Sequence, residues 1–235
     1  MNTAIILLAG KGTRMNYGDK PKQFLDVNGK PLIIHTIEKF EKNLNIDQIL
    51  LVASKEYLKE VSSLIKKYDL RKILSIIEGG ATRQDSVYNG LEYLKKHQIN
   101  DDDIVLIHDG ARVLVSDQVI TDNIEKCKIY SSVGTVIPST DTIFKSKDFN
   151  SLYQIENREE LFLVQTPQTF KFKIIHHAHH IARLNHNYQF TDDCSLVFND
   201  GARVFFTLGS RLNFKVTTYD DYLMLKAIIN MKIWF

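Results

Sequence analysis

The chain has 235 residues, 44% of them hydrophobic, and a formal net charge of +2. That composition suits a globular protein with a sizeable core, and 30 basic against 28 acidic residues is too even for a protein that coats nucleic acid. Two separated cysteines, Cys127 and Cys194, offer neither a disulfide framework nor a thiolate zinc site and fit reduced thiols.

TAIILLAG (3–10) reads as the first strand; its apolar stretch is too short for a signal peptide or a membrane span, so a soluble cytoplasmic protein without a membrane partner is expected. PLIIHTIEKFEKN reads as a helix with Pro31 in its first turn, DQILLVAS as a strand and EYLKEVSSLIKKY as an amphipathic helix. ILSIIEGG is a further strand, RQDSVYNGLEYLKKH a helix, and DIVLIHDGAR a strand ending in a polar turn. No repeat or linker divides the chain, which predicts one domain over 1–235. Strands alternating with helices predict parallel βαβ units: an α/β fold with a mostly parallel, Rossmann-like sheet. In such a sheet ligands sit at the C-terminal strand ends, where Gly10, Gly79, Gly80 and Asp109 all fall. The Asp101-Asp102-Asp103 run lies at the opposite end and reads as a solvated turn.

Residues 132–160 break the alternation. VGTVIPSTDTIF and SLYQIENREEL look extended and are joined by the polar turn KSKDFN, which predicts a β-arm over 139–160, with an ordinary edge hairpin as the alternative. A helix over about 171–185, a short helix near TDDCSLVFND, a strand in ARVFFTLG and a final helix from Tyr219 complete the order. His176, His177, His179, His180 and His186 have spacings that could bind a metal on a helix. No carboxylate-rich motif accompanies them, so a polar helix face is the preferred reading. The apolar ending NMKIWF is expected to pack against the body or a partner.

The chemistry begins at LLAGKGTRM. A Walker A loop needs its lysine after the last glycine, whereas Lys11 lies between glycines; the dinucleotide fingerprint needs a third glycine where Met15 stands. What remains is a strand-end loop with free backbone N–H groups and two cations, suited to a triphosphate or, less specifically, a tight turn. KPKQF adds Lys20 and Lys22 around a stiffening proline. In EGGATRQDSVYNGL, Gly79 and Gly80 permit close backbone approach, while Arg83 and Ser86 could read a base edge or ribose; a capped helix start is an equal alternative. In HDGAR, Asp109 closes a strand that looks buried, where a lone carboxylate is costly unless it meets a metal or a cation. Beside a triphosphate it suggests magnesium, held directly or through water. Arg158, Thr166, Thr191, Asp192 and Lys215 supply hydroxyls and charges suited to a phosphorylated polyol.

Taken together, LLAGKGTRM, PKQF, GGATRQDSV, HDGAR, QTPQTF, TDDCSLV and NFKVTT, in this order, resemble the cytidylyltransferases of the 2-C-methyl-D-erythritol 4-phosphate type over about residues 3–230. The resemblance implies a nucleotide-diphospho-sugar-transferase-like fold, CTP and magnesium as co-reactants, a role in isoprenoid biosynthesis, and a homodimer whose β-arm crosses to the neighbour. It further implies that Ala9, Gly10 and Gly12 wrap the triphosphate of CTP, and that Arg14 and Lys22 bind the α-phosphate region and the leaving pyrophosphate. Gly80, Ala81, Arg83 and Ser86 would hold cytosine and ribose. Asp109, Gly110 and Arg112 would lie between nucleotide and acceptor, with Lys215 on the α-phosphate. Thr142 and Arg158, on the arm, would clamp the acceptor phosphate of the other subunit, with Thr166 and Thr191 nearby.

A phosphate acceptor is already ionised at neutral pH, so catalysis must come from positioning two mutually repelling anions and neutralising charge. That accounts for the arginines and lysines and for the want of a general-base device. Val113 and TTYDDY depart from the family's usual proline and TTPEDL-like ending. Ribitol 5-phosphate cytidylyltransferases share most of the pattern: LVQTPQ and HDGAR lean towards methylerythritol phosphate, while Cys194 resembles the ribitol-type TDAC. A glycosyltransferase on the same sheet would need a DxD motif at the strand end. A noncatalytic nucleotide-binding module would be expected to lack Arg14, Lys22 or Lys215.

Overall fold

The computed structural model describes residues 1–9 and 21–231. Strand β1 (Asn2–Leu7) is followed by the small β2 (Asp26–Val27) and β3 (Lys30–Pro31), then α1 (Leu32–Lys42), β4 (Gln48–Ala53), α2 (Leu58–Lys67) and β5 (Ile73–Glu78). Next come α3 (Arg83–Lys96), β6 (Ile104–Asp109), α4 (Asp117–Tyr130), β7 (Ser132–Pro138) and the two-residue β8 (Phe144–Lys145) and β9 (Gln154–Ile155). The chain continues with β10 (Phe162–Lys171), α5 (Phe172–Leu184), α6 (Asp193–Asn199), β11 (Phe205–Leu208) and α7 (Tyr219–Asn230).

A seven-stranded sheet, in the order β11-β7-β10-β6-β1-β4-β5, forms the centre. Its pairs are parallel except those of β10, which runs antiparallel to both β6 and β7. The pleat sends alternate residues to opposite faces. Ala4, Ile6 and Leu8 join one core with α1, α4 and α7, while Ile5, Val105 and Ile107 join a second with α3 and α5. Both faces are thus covered, which explains why β4 and β6 read as unbroken apolar runs. No helix among the described residues is long and apolar enough to cross a membrane.

The expected α/β order holds, with four corrections. VGTVIP is not part of an arm: β7 is a largely buried sheet strand between β11 and β10. SLYQIENREEL is extended only at β9 and then turns through a 3-10 segment, Arg158–Glu160. Helix α4 and strand β10 are additions to the expected order. FLVQTPQTFK does not read as a central strand because Pro167 cannot donate to a ladder. The structure places Pro167 in a bulge between Gln165 and Gln168, after a cis peptide bond, so the register resumes without needing its N–H. Finally, Asp103 is not solvated: it is buried and accepts bonds from the Asn100 backbone and side chain at 2.9 and 3.2 Å.

The β8–β9 hairpin is tied at its turn by Asp148, whose carboxylate accepts from Ser146, Asn150 and Ser151 at 2.7–2.9 Å. Phe144, Phe149, Leu152, Tyr153 and Ile155 stand exposed around it.

Candidate active site

The C-terminal ends of β1 and β6 meet the middle of β10, and Arg83, at the start of the helix that follows β5, reaches the same place. Leu7 pairs with Asp109 across β1 and β6, and the Asp109 amide donates to Thr166 Oγ1 at 3.1 Å. The turn after β6 is fastened from several sides. Gly110 N–H donates to Leu7 O, Thr36 Oγ1 to Gly110 O, and Val216 N–H to Ala111 O, at 3.0, 2.7 and 2.9 Å.

His108, one residue before Asp109, is fully buried, and its proton can be placed by elimination. The Arg112 carbonyl, 3.0 Å from Nε2, can only accept, so Nε2 carries the hydrogen. Nδ1 therefore accepts from the Thr166 hydroxyl at 3.1 Å, and that hydroxyl oxygen in turn accepts from Asp109 N–H. Burial pushes the imidazole pKa down to about 4, which keeps this neutral arrangement.

Asp109 is the centre of the charge distribution. Arg83 Nε lies 3.3 Å from Oδ1, while Lys215 Nζ and Arg112 Nε lie 2.8 and 3.9 Å from Oδ2. Burial alone would raise the Asp109 pKa, but the charges of Arg83 and Lys215 overcome it and hold the carboxyl well below its ordinary range. Arg83 also contacts buried Asp193, Nη2 to Oδ2 at 2.8 Å, and the two carboxylates raise its pKa against the opposing effect of burial. Arg112 spreads further, donating to Asn213 O at 2.8 Å and Val164 O at 3.3 Å. Three cations against two carboxylates leave this cluster an excess positive charge.

The cluster walls a cavity of about 360 Å³ lined by Arg83, Asp109, Arg112, Thr166, Thr191 and Lys215 together with Val164, Gln165, Gln168 and Asp192. Seven residues expected from the sequence, Asp192 among them, are therefore brought together here. Lys22 approaches from the neighbouring segment, donating to Val216 O at 2.8 Å. On the β5 side, Ser86 accepts from Gly80 N–H at 3.0 Å and donates to Thr82 O at 2.9 Å, so its hydroxyl shapes the loop and leaves Gly80 and Ala81 exposed. Thr82 and Asp85 form a capping box that begins α3. Ala9 packs where a Gly79 side chain would stand, a Cβ there falling 2.7 Å from the Ala9 Cβ.

Gly10, Lys11, Gly12, Arg14 and Lys20 lie outside the described residues. Thr142 and Arg158 are exposed on the arm, the element from which they are expected to serve the other subunit; Arg158 donates to Thr140 O at 3.1 Å. The histidines of α5 do not form one polar face. His179 is fully buried with Nε2 3.2 Å from Asp193, and His176 Nε2 meets Glu92 at 2.7 Å. Asp193, His179 and His108 were missed as site residues. A signal existed for His179, which falls at helical spacing among the buried Ile175, Ala178 and Ala182. As to a metal, both Asp109 oxygens already face cations, so the arrangement fits this carboxylate as an anchor for Arg83 and Lys215, not as a direct metal ligand.

Comparison with known proteins accords with this geometry. The family model described as 2-C-methyl-D-erythritol 4-phosphate cytidylyltransferase, IspD, matches residues 2–231. The 2-C-methyl-D-erythritol 4-phosphate cytidylyltransferase of Clostridium novyi is 43% identical, over 97% of this chain and 96% of the relative. The ribitol-5-phosphate cytidylyltransferase of Vibrio parahaemolyticus is 37% identical, over 98% of this chain and 96% of the relative. Among solved structures, the 4-diphosphocytidyl-2C-methyl-D-erythritol synthase of Anaerococcus prevotii superposes with a TM-score of 0.82 at 28% identity, covering 97% of this chain and 96% of that one. With the family pattern matched from the first strand to the last helix and its conserved fold reproduced, the chain belongs to the IspD family of cytidylyltransferases and is a CTP-dependent nucleotidyltransferase.

Proposed function

We propose that the protein transfers CMP from CTP to 2-C-methyl-D-erythritol 4-phosphate. The observation that carries the chemistry is the Asp109-centred group of Arg83, Arg112 and Lys215 at the sheet's C-terminal edge. The acceptor's ionised phosphate oxygen attacks the α-phosphorus of CTP in line. The new P–O bond forms as the α–β bridge breaks, and pyrophosphate leaves with the electron pair. Lys215 exchanges part of its contact with Asp109 for the α-phosphate, while Lys22 and Arg14 receive the charge that develops on the leaving group. Ala9, Gly10 and Gly12 lie along the triphosphate, and Gly80, Ala81 and Arg83 meet the nucleoside, with Ser86 holding their loop. Asp109, Gly110, Arg112, Thr166 and Thr191 receive the acceptor. Magnesium enters in this reading as a complex with the triphosphate.

The acceptor is favoured by the family description, by the 43% identical relative, and by LVQTPQ and HDGAR. A second reading, ribitol 5-phosphate, is favoured by the 37% identical Vibrio relative and by Cys194 in TDDC. The arm, with its exposed Phe144, Phe149 and Ile155, serves in this proposal as a dimerisation element that carries Thr142 and Arg158 to the neighbouring subunit. Pyrophosphate release from CTP, with each acceptor offered alone, tests the proposal. Faster turnover with methylerythritol phosphate is expected. Faster turnover with ribitol 5-phosphate moves the assignment, and turnover with neither acceptor defeats it.

A further inference from the structure

Arg83 is gripped from two sides, by Asp109 on β6 and by Asp193 at the start of α6. Asp193 has its own supports. Its backbone N–H donates to Gln168 Oε1 at 2.8 Å, so β10 aims it, and its Oδ1 lies 3.2 Å from His179 Nε2. A carboxylate that only accepts fixes the His179 proton on Nε2. Nδ1 has no hydrogen-bond partner among the described residues, so the ring's polar contact is directed at Asp193 alone. The chain His179–Asp193–Arg83–Asp109–Lys215 thus runs from the interior of α5 to the cavity wall.

We propose that Asp193 and His179 are positioning residues that hold Arg83 at its nucleotide-facing angle and thereby leave one oxygen of Asp109 to Lys215. Without the Asp193 charge, Arg83 would retain Asp109 as its carboxylate partner and would close on both of its oxygens, the geometry a guanidinium prefers. That closure displaces Lys215. The inference rests on the reading of Arg83 as a nucleotide-binding residue and of Lys215 as a group on the α-phosphate.

A double-mutant cycle tests it, with kcat/KM for CTP read by pyrophosphate release from the full chain. Asp193→Asn should lower that value about tenfold in the native background and less than twofold beside Arg83→Gln, because its effect passes through Arg83. An equal loss in both backgrounds overturns the proposal. His179→Gln keeps a side-chain donor and His179→Leu does not, so the glutamine variant should recover at least half of what the leucine variant loses; equal losses overturn the role of His179. This pair decides the matter if Asp193→Asn fails to fold. Should the native chain release no pyrophosphate with either acceptor, the functional reading fails on its own, and CTP affinities of the same four cycle proteins decide the inference by the same pattern.

Discussion

The Asp109 amide donates to the Thr166 hydroxyl at 3.1 Å, and through that bond an antiparallel strand is locked to the end of a parallel one. The hydroxyl also serves His108 Nδ1, so one side chain satisfies two buried groups. Thr166→Val preserves shape and removes both bonds, leaving an N–H and a ring nitrogen unpaired. A loss of about 1–3 kcal/mol is expected in urea unfolding, and Thr166→Ser should recover most of it. A valine variant as stable as the native chain would contradict this account.

His108 predicts a particular dependence of stability on pH. Its native pKa of about 4 lies below the ordinary value of 6.5, so between these values the unfolded chain binds a proton that the native chain does not. The imidazole's contribution is therefore complete above pH 6.5 and is lost as pH falls towards 4. Its removal in His108→Gln should reduce the stability difference between pH 7 and pH 4 by on the order of 3 kcal/mol. Denaturant titrations of both proteins at a series of pH values provide the check, and parallel curves would refute it.

Gly80 stands so close to Asp85 that an added Cβ would overlap the Asp85 Cβ and crowd its backbone. Gly80→Ala must therefore shift either the loop or the start of α3, whose capping box depends on Asp85. About 1–3 kcal/mol of destabilisation is expected, together with a higher KM for CTP and an unchanged KM for the acceptor. Steady-state kinetics in which both substrates are varied separates these effects.

For Arg158, the proposed reading requires a change confined to the acceptor. Arg158→Ala should raise the acceptor KM by about tenfold or more, the scale of a lost charge-assisted contact, with CTP affinity unchanged. An unaltered acceptor KM would separate the arm from the site. Mixing this variant with one impaired at Lys215 adds a second test. If the arm serves the neighbouring subunit, mixed dimers should recover part of the activity.

Much of the architecture was legible in the chain itself. Strands β1, β4, β5 and β6 and the helices between them declare themselves through local period, and the glycine and charge motifs fall where parallel strands end. The arm was legible only in part, since β7 is extended whether it lies in an arm or in a sheet.

Strand β10 and the supports of Arg83 were decided by tertiary structure. Gln165, Thr166, Gln168 and Thr169 look like loop residues in sequence, yet each is buried, with its polar group bonded to a partner elsewhere in the fold. Likewise, nothing local to TDDC or to the α5 histidines says that Asp193 and His179 will meet, or that Arg83 will lie between Asp193 and Asp109. The sequence determined strands β1, β4, β5 and β6, the helices between them and the supply of cations, because those depend on neighbours a few residues away. Which carboxylate would hold which cation depends on contacts between distant segments, and only the folded sheet brings those groups within 4 Å of one another.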